Sequence, residues 1–124
     1  MESKTVKIRD ISVDNCIKCT PRHGGYKRIK EIIDSASVAS TGIIFELIGV
    51  YREMETAKKV SRYTVHLEII TGDLNAQVLN GVAELTDALK AFPKCWCVYV
   101  HSMGYSDDEY TIPTVYINIL IDNE

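Results

Sequence analysis

No stretch of this chain approaches the roughly 20 consecutive apolar residues needed to cross a bilayer. The polar opening Met1-Glu2-Ser3-Lys4 runs straight into Val6-Lys7-Ile8-Arg9, without the apolar core of a signal peptide. The expectation is a protein made and kept in a cytoplasm, with no membrane partner. Phosphate-cradling, dinucleotide-binding and zinc-hydrolase motifs are all missing, which leaves the commonest enzyme classes without a mark. Internal repeats and low-complexity tracts are absent as well, so neither a solenoid nor a linker-rich architecture is indicated. The run Asp107-Asp108-Glu109 lacks the spaced ligands of a calcium loop and reads as a solvated turn.

What remains is an ordinary globular composition: 124 residues, 46% apolar and 25% charged. That length suits one domain, enough to bury about two thirds of the unfolded surface without staples. The net charge of −3 is unevenly spread. Residues 1–30 hold eight basic side chains against three acidic ones, and the rest of the chain six against fourteen. A basic arm on an acidic body can contact nucleic acid or the acidic body of a second copy. The arm lacks the interleaved aromatics that would stack on bases, which favours the second copy.

The four cysteines form the pairs Cys16-x-x-Cys19 and Cys95-x-Cys97. With His23 close by in a turn-rich stretch, Cys16 and Cys19 are candidates for a zinc knuckle. The other reading of the same residues is free, buried or half-buried thiols. Cys95 and Cys97 fall two apart in an expected strand and would share one face as small core residues beside Trp96 and Tyr99. His101 would share that face. At four residues along a strand, about 13 Å, it is too far from Cys97 for a nucleophile–base contact, leaving only His66 on another strand as a partner. No catalytic residue or cofactor is assigned.

Residues 5–13 alternate imperfectly and suit an extended arm or edge strand; residues 1–25 are read as this arm and 26–124 as a single domain. After the break at Pro21–Gly25, with Gly24-Gly25 read as a hinge rather than an anion site, Ile29, Ile32, Ile33 and Ala36 mark one face of a helix from Tyr26. Ile43–Arg52 is apolar on both faces, with Ile43, Phe45, Leu47 and Tyr51 on one and Ile44, Ile48 and Val50 on the other. Tyr63, Val65, Leu67 and Ile69 alternate inward in the next strand. Gly72-Asp73 opens a second helix with Asp73 as its cap, and Leu74, Val78, Val82, Leu85, Leu89 and Phe92 form its stripe until Pro93. Residues 95–103 form a strand. Val115, Ile117, Ile119 and Ile121 then face the core from a last strand whose Pro113 suggests a sheet edge. The fold class expected is α+β: a four-stranded mixed sheet with two helices on one face, plus the basic arm. The strand–helix–strand unit from Arg62 to Met103 is expected to cross over right-handedly between parallel strands.

The two hairpin turns carry opposite charge. Arg52, Lys58, Lys59 and Arg62 surround the first, with Glu53 and Glu55 among them, and Asp107, Asp108 and Glu109 occupy the second. A helix separates the hairpins, so the turns should sit at opposite ends of the sheet, an arrangement suited to head-to-tail self-association.

In order and texture the chain from Tyr26 to Asp122 resembles the small tail terminator and tail completion proteins of long-tailed bacteriophages. The leading helix Tyr26–Ile33, the strand Ile43–Val50 running into a charged hairpin, Tyr63–Thr71 leading at once into the helix Asn75–Leu89, and the final Val115–Ile119 carry that likeness. The basic arm with its Cys-x-x-Cys departs from it. The resemblance implies a non-enzymatic ring subunit, commonly a hexamer, that caps the tail tube and joins it to the head connector, found in the host cytoplasm during assembly and then in the virion. Two other readings stand beside it: a small phage- or plasmid-encoded inhibitor of a host protein or protein–nucleic-acid complex, and a small zinc- or thiol-dependent protein.

Overall fold

The clean alternation of Val115, Ile117 and Ile119, all fully buried, belongs to a strand in the interior of the sheet and not at its rim. A computed structural model describes residues 4–8, 11–39, 43–53, 60–70, 75–105 and 112–122. In chain order the elements are β1 (Lys4–Ile8), β2 (Ile11–Lys18), α1 (Gly24–Ala39), β3 (Phe45–Glu53), β4 (Val60–Ile69), α2 (Ala76–Leu89), β5 (Cys95–Tyr105) and β6 (Pro113–Asp122). The fold is α+β. Among the described residues, six strands lie in the order β1-β2-β3-β4-β6-β5, and every neighbouring pair is antiparallel.

Three expectations change. The four expected strands form one contiguous block, but the sheet has six, because residues 4–18 form a hairpin that adds β2 to β3 where a single arm or edge strand was expected. The sheet is antiparallel instead of mixed: β4 and β5 do run in the same direction across the α2 crossover, yet β6 inserts between them and pairs with both. Pro113 begins an interior strand, which a proline can do at the first position, where the ladder has scarcely started.

Both helices pack into one core. Ile29, Ile32 and Ile33 of α1 and Val78, Val82, Leu85 and Leu89 of α2 join Phe45, Val50, Tyr63, Val65, Leu67, Ile69, Val115, Ile117 and Ile119 of the sheet. α1 begins two residues before Tyr26, so Gly24-Gly25 is helix and not a hinge. His23 acts as its cap: Nδ1 accepts from the Gly25 N–H at 3.0 Å, and its carbonyl accepts from the Lys27 N–H. α2 is capped by Asn75, whose Oδ1 accepts from the Val78 N–H at 2.9 Å. The helix therefore opens later than Gly72-Asp73; Asp73 and Leu74 lie outside the described residues. Beyond Leu89 the chain makes a turn that tucks the Phe92 ring against Tyr63, centroids 5.4 Å apart, and passes Lys94 with φ of 61° into β5.

Tyr63 is also what makes Gly25 necessary. A Cβ built on Gly25 would stand 2.7 Å from the Tyr63 hydroxyl, and the ring is boxed in by Phe92 and His23. Gly25→Ala trades a helix-propensity gain of up to about 1 kcal/mol for overpacking of about 1–3 kcal/mol. The variant should therefore lose stability in urea unfolding, where an ordinary helical Gly→Ala would gain it.

Bulges reset which face a side chain takes. Register shifts between Leu47 and Gly49, so Phe45, Leu47 and Val50 face the helices while Tyr51 faces away, reversing the expected placement of Val50 and Tyr51. A second bulge at Trp96 separates Cys95, packed on the core side, from Cys97, opposite Leu120 on the other face. The two cysteines do not share a face, and Trp96 is exposed instead of buried beside them.

Candidate functional site

Of the residues expected to mediate self-association, Arg52 and Arg62 are described, and they point to opposite faces of the sheet. Arg52 lies opposite Tyr63 on the helix side. Arg62 turns to the other face, where its Nη2 stands 3.9 Å from Glu53 and donates to Cys16 Sγ at 3.5 Å. Both are half-buried and they lie on opposite faces, so they do not project together as a basic pole. Lys58, Lys59, Asp107, Asp108 and Glu109 lie outside the described residues. The register places the Glu53 and Val60 ends of the first hairpin beside Asp122, and the Tyr105 and Pro113 ends of the second beside Glu68, at opposite ends of the sheet.

The zinc candidates are not brought together. Cys16 lies within β2, where the ladder with β3 continues through Lys18 and on to a bond from the Cys19 N–H to the Val50 carbonyl at 2.7 Å, so the start of the expected turn is strand and the turn itself comes only after Cys19, at Pro21–His23. Strand parity then sends Cys16 to the face with Arg62 and Cys19 into the helix-side core. His23 is occupied as the cap of α1. Among the described residues, no three His, Cys, Asp or Glu side chains gather as metal ligands. Burial pushes the Cys19 thiol above its usual value against the opposing pull of Arg52, and burial likewise raises Cys95, the reverse of an activated nucleophile.

The face of the sheet turned away from the core is more ordered than alternation alone suggests. Lys18, Tyr51, Thr64, Asn118 and Tyr99 line up across five strands. Thr64 Oγ1 donates to Asn118 Oδ1 at 2.8 Å, and Asn118 Nδ2 donates to the Tyr99 hydroxyl at 3.1 Å and lies 3.4 Å from His101 Nδ1. In the next row His66 stacks on Tyr116, ring centroids 4.6 Å apart, with Ser102 on the far side. Thr64, His66 and Asn118 alternate with the core-facing residues of β4 and β6 and so face away from the core, but they are buried there, His66 being 7% exposed. Neither ring nitrogen of His66 has a hydrogen-bond partner among the described residues. Burial, and secondarily the charge of Lys18, push its pKa down to about 4. Cys97 lies opposite Leu120, four residues along β6 from the Tyr116 that His66 stacks on, a span of about 13 Å. His66 and Cys97 are thus not a nucleophile–base pair.

The feature that sequence reasoning missed is the free edge. β5 is 11 residues long, holds no lysine, arginine, aspartate, glutamate or proline, and has no described strand beyond it. Trp96 is 70% exposed, and Tyr99 and Val100 are exposed beside it. Natural edge strands are normally blunted by charge, proline or shortness. The opposite edge follows that rule, since β1 is five residues long and carries Lys4 and Lys7. The signal was present in the uncharged run from Cys95 to Tyr105, but its weight depends on knowing that β6, not β5, is interior.

A scan of protein-family models, a search of curated proteins and a search of solved structures each returned no match to this chain. No helix among the described residues is long and apolar enough to cross a membrane.

Proposed function

We propose that this chain is a non-enzymatic structural subunit that assembles with copies of itself into a closed ring. In line with the resemblance to tail terminator and tail completion proteins, the ring, most simply a hexamer, caps a phage tail tube and joins it to the head connector. It would form in the host cytoplasm and remain in the virion. The observation that carries this reading is β5, an 11-residue edge without a guarding charge and with Trp96 exposed. An edge strand without a guarding charge, with no described strand beyond it, is a template for another strand. The sheet's two edges differ, and a contact between unlike surfaces generates rings when its rotation closes.

Light scattering across a concentration series tests the proposal. The expected result is a molar mass that rises and then levels off at a small whole multiple of 13.9 kDa. Mass fixed at the monomer value would remove the ring and favour the inhibitor reading, in which β5 receives a strand from an unrelated protein.

A further inference from the structure

We infer that the β5 edge of one copy is the seat for the β1 edge of the next, so that adjacent subunits share one continuous antiparallel sheet. The inference rests on the assembly reading above and names its contact. Strand direction is the first argument. The six strands alternate in direction from β1 to β5, so β1 and β5 run in opposite directions. A second copy related by rotation about an axis along the strands therefore presents its β1 antiparallel to β5, and the ladder continues without a break in pattern. An odd number of alternating strands would have forced a parallel junction.

Length and charge agree. Register shifts at Trp96 and again between Val100 and Ser102 divide β5 into two regular stretches, of which Cys97–Val100, next to the exposed Trp96, is close in length to the five residues of β1. Charge distinguishes the possible pairings. Two β1 edges would set lysines against lysines, which is unfavourable across a ladder. Against β5, which holds no lysine or arginine, Lys4 and Lys7 meet no like charge. Pairing β5 with β5 carries no charge penalty but closes as a dimer and leaves both β1 edges open.

Two native features make the contact measurable: Trp96 is the only tryptophan, and Cys97 stands on the edge strand itself. In the wild-type chain, Trp96 emission should shift to the blue as concentration rises, in step with the mass. Thr5→Cys, Val6→Cys and Lys7→Cys, introduced one at a time and mildly oxidised, should give a ladder of disulfide-linked species beyond the dimer for at least one variant, with the wild type giving none. Cys16 and Cys19 are buried and should not compete. Crosslinked dimers from the oxidised wild type, ending at two copies, would mean β5 pairs with β5 and would overturn the inference. Assembly with unshifted Trp96 emission, or with a shift but no ladder from any of the three variants, would overturn it too, leaving the ring reading intact. Absence of any assembly would remove both.

Discussion

Leu85→Ala should lower the unfolding free energy by about 2–5 kcal/mol. Leu85 is wholly buried at the middle of α2, between Val82 and Leu89 on the stripe that meets the sheet. Truncation removes three carbons from a packed interior, and the backbone of a helix clamped on a six-stranded sheet cannot close over the gap. The same substitution at Leu79, on the same helix but 51% exposed, is the internal control, with a cost below about 1 kcal/mol expected. The two variants share their chemistry and nearly share their helix propensity, so the difference between their urea midpoints isolates burial. For a domain whose total stability is of the order of 5–15 kcal/mol, the Leu85 variant would retain only part of its margin. Equal midpoints would mean that the Val78–Leu89 stripe does not face the core.

The second large effect is a dependence on pH carried by His66. Its folded pKa is about 4, below the ordinary 6.5, because burial disfavours the imidazolium and the Lys18 charge opposes it further. Between pH 6.5 and about 4 the unfolded chain binds a proton that the folded chain refuses, so stability falls as pH drops through that window. Above pH 6.5 both states are neutral and the contribution vanishes. Integrated over the window, the loss is up to about 3 kcal/mol. The groups around the ring do not offset it: Tyr116 stacks on one side, Ser102 lies beyond it, and both ring nitrogens lack hydrogen-bond partners among the described residues. His66→Phe keeps a ring against Tyr116 and deletes the titration. The wild type should lose markedly more stability than this variant between pH 7 and pH 4, and parallel profiles would contradict the buried, neutral assignment of His66.

These two residues also mark where reading the sequence succeeds and where it stops. The α2 stripe was legible because helical spacing repeats over several turns, and burial follows it from Val78 to Phe92. The same holds for Tyr63–Ile69 and Val115–Ile119, whose period of two survives in β4 and β6. What failed was whatever depends on one extra residue or on long-range pairing. A bulge beside Gly49 exchanged Val50 and Tyr51 between faces. Another at Trp96 parted Cys95 from Cys97 and turned the tryptophan outward. Neither insertion disturbs composition, so a strict alternation misplaces every side chain beyond it. The insertion of β6 between β4 and β5 is a choice among pairings that all bury the same apolar residues. Cys16, Cys19 and His23 lie close in sequence and suggested a knuckle, but the β2–β3 ladder and the start of α1 claim them for strand, core and cap. The free β5 edge could be weighed only after the strand order was known.

The most direct measurement is sedimentation velocity of the wild type beside Val100→Lys at matched concentrations. Val100 is 38% exposed on the β5 edge, so a lysine there can reach water without unfolding the domain, and it supplies the guarding charge that this strand lacks. The wild type should sediment as a closed oligomer and the variant as the 13.9 kDa monomer, with unfolding midpoints close together. If the two sediment alike, whether both assembled or both monomeric, the β5 edge is not what holds copies of this chain together.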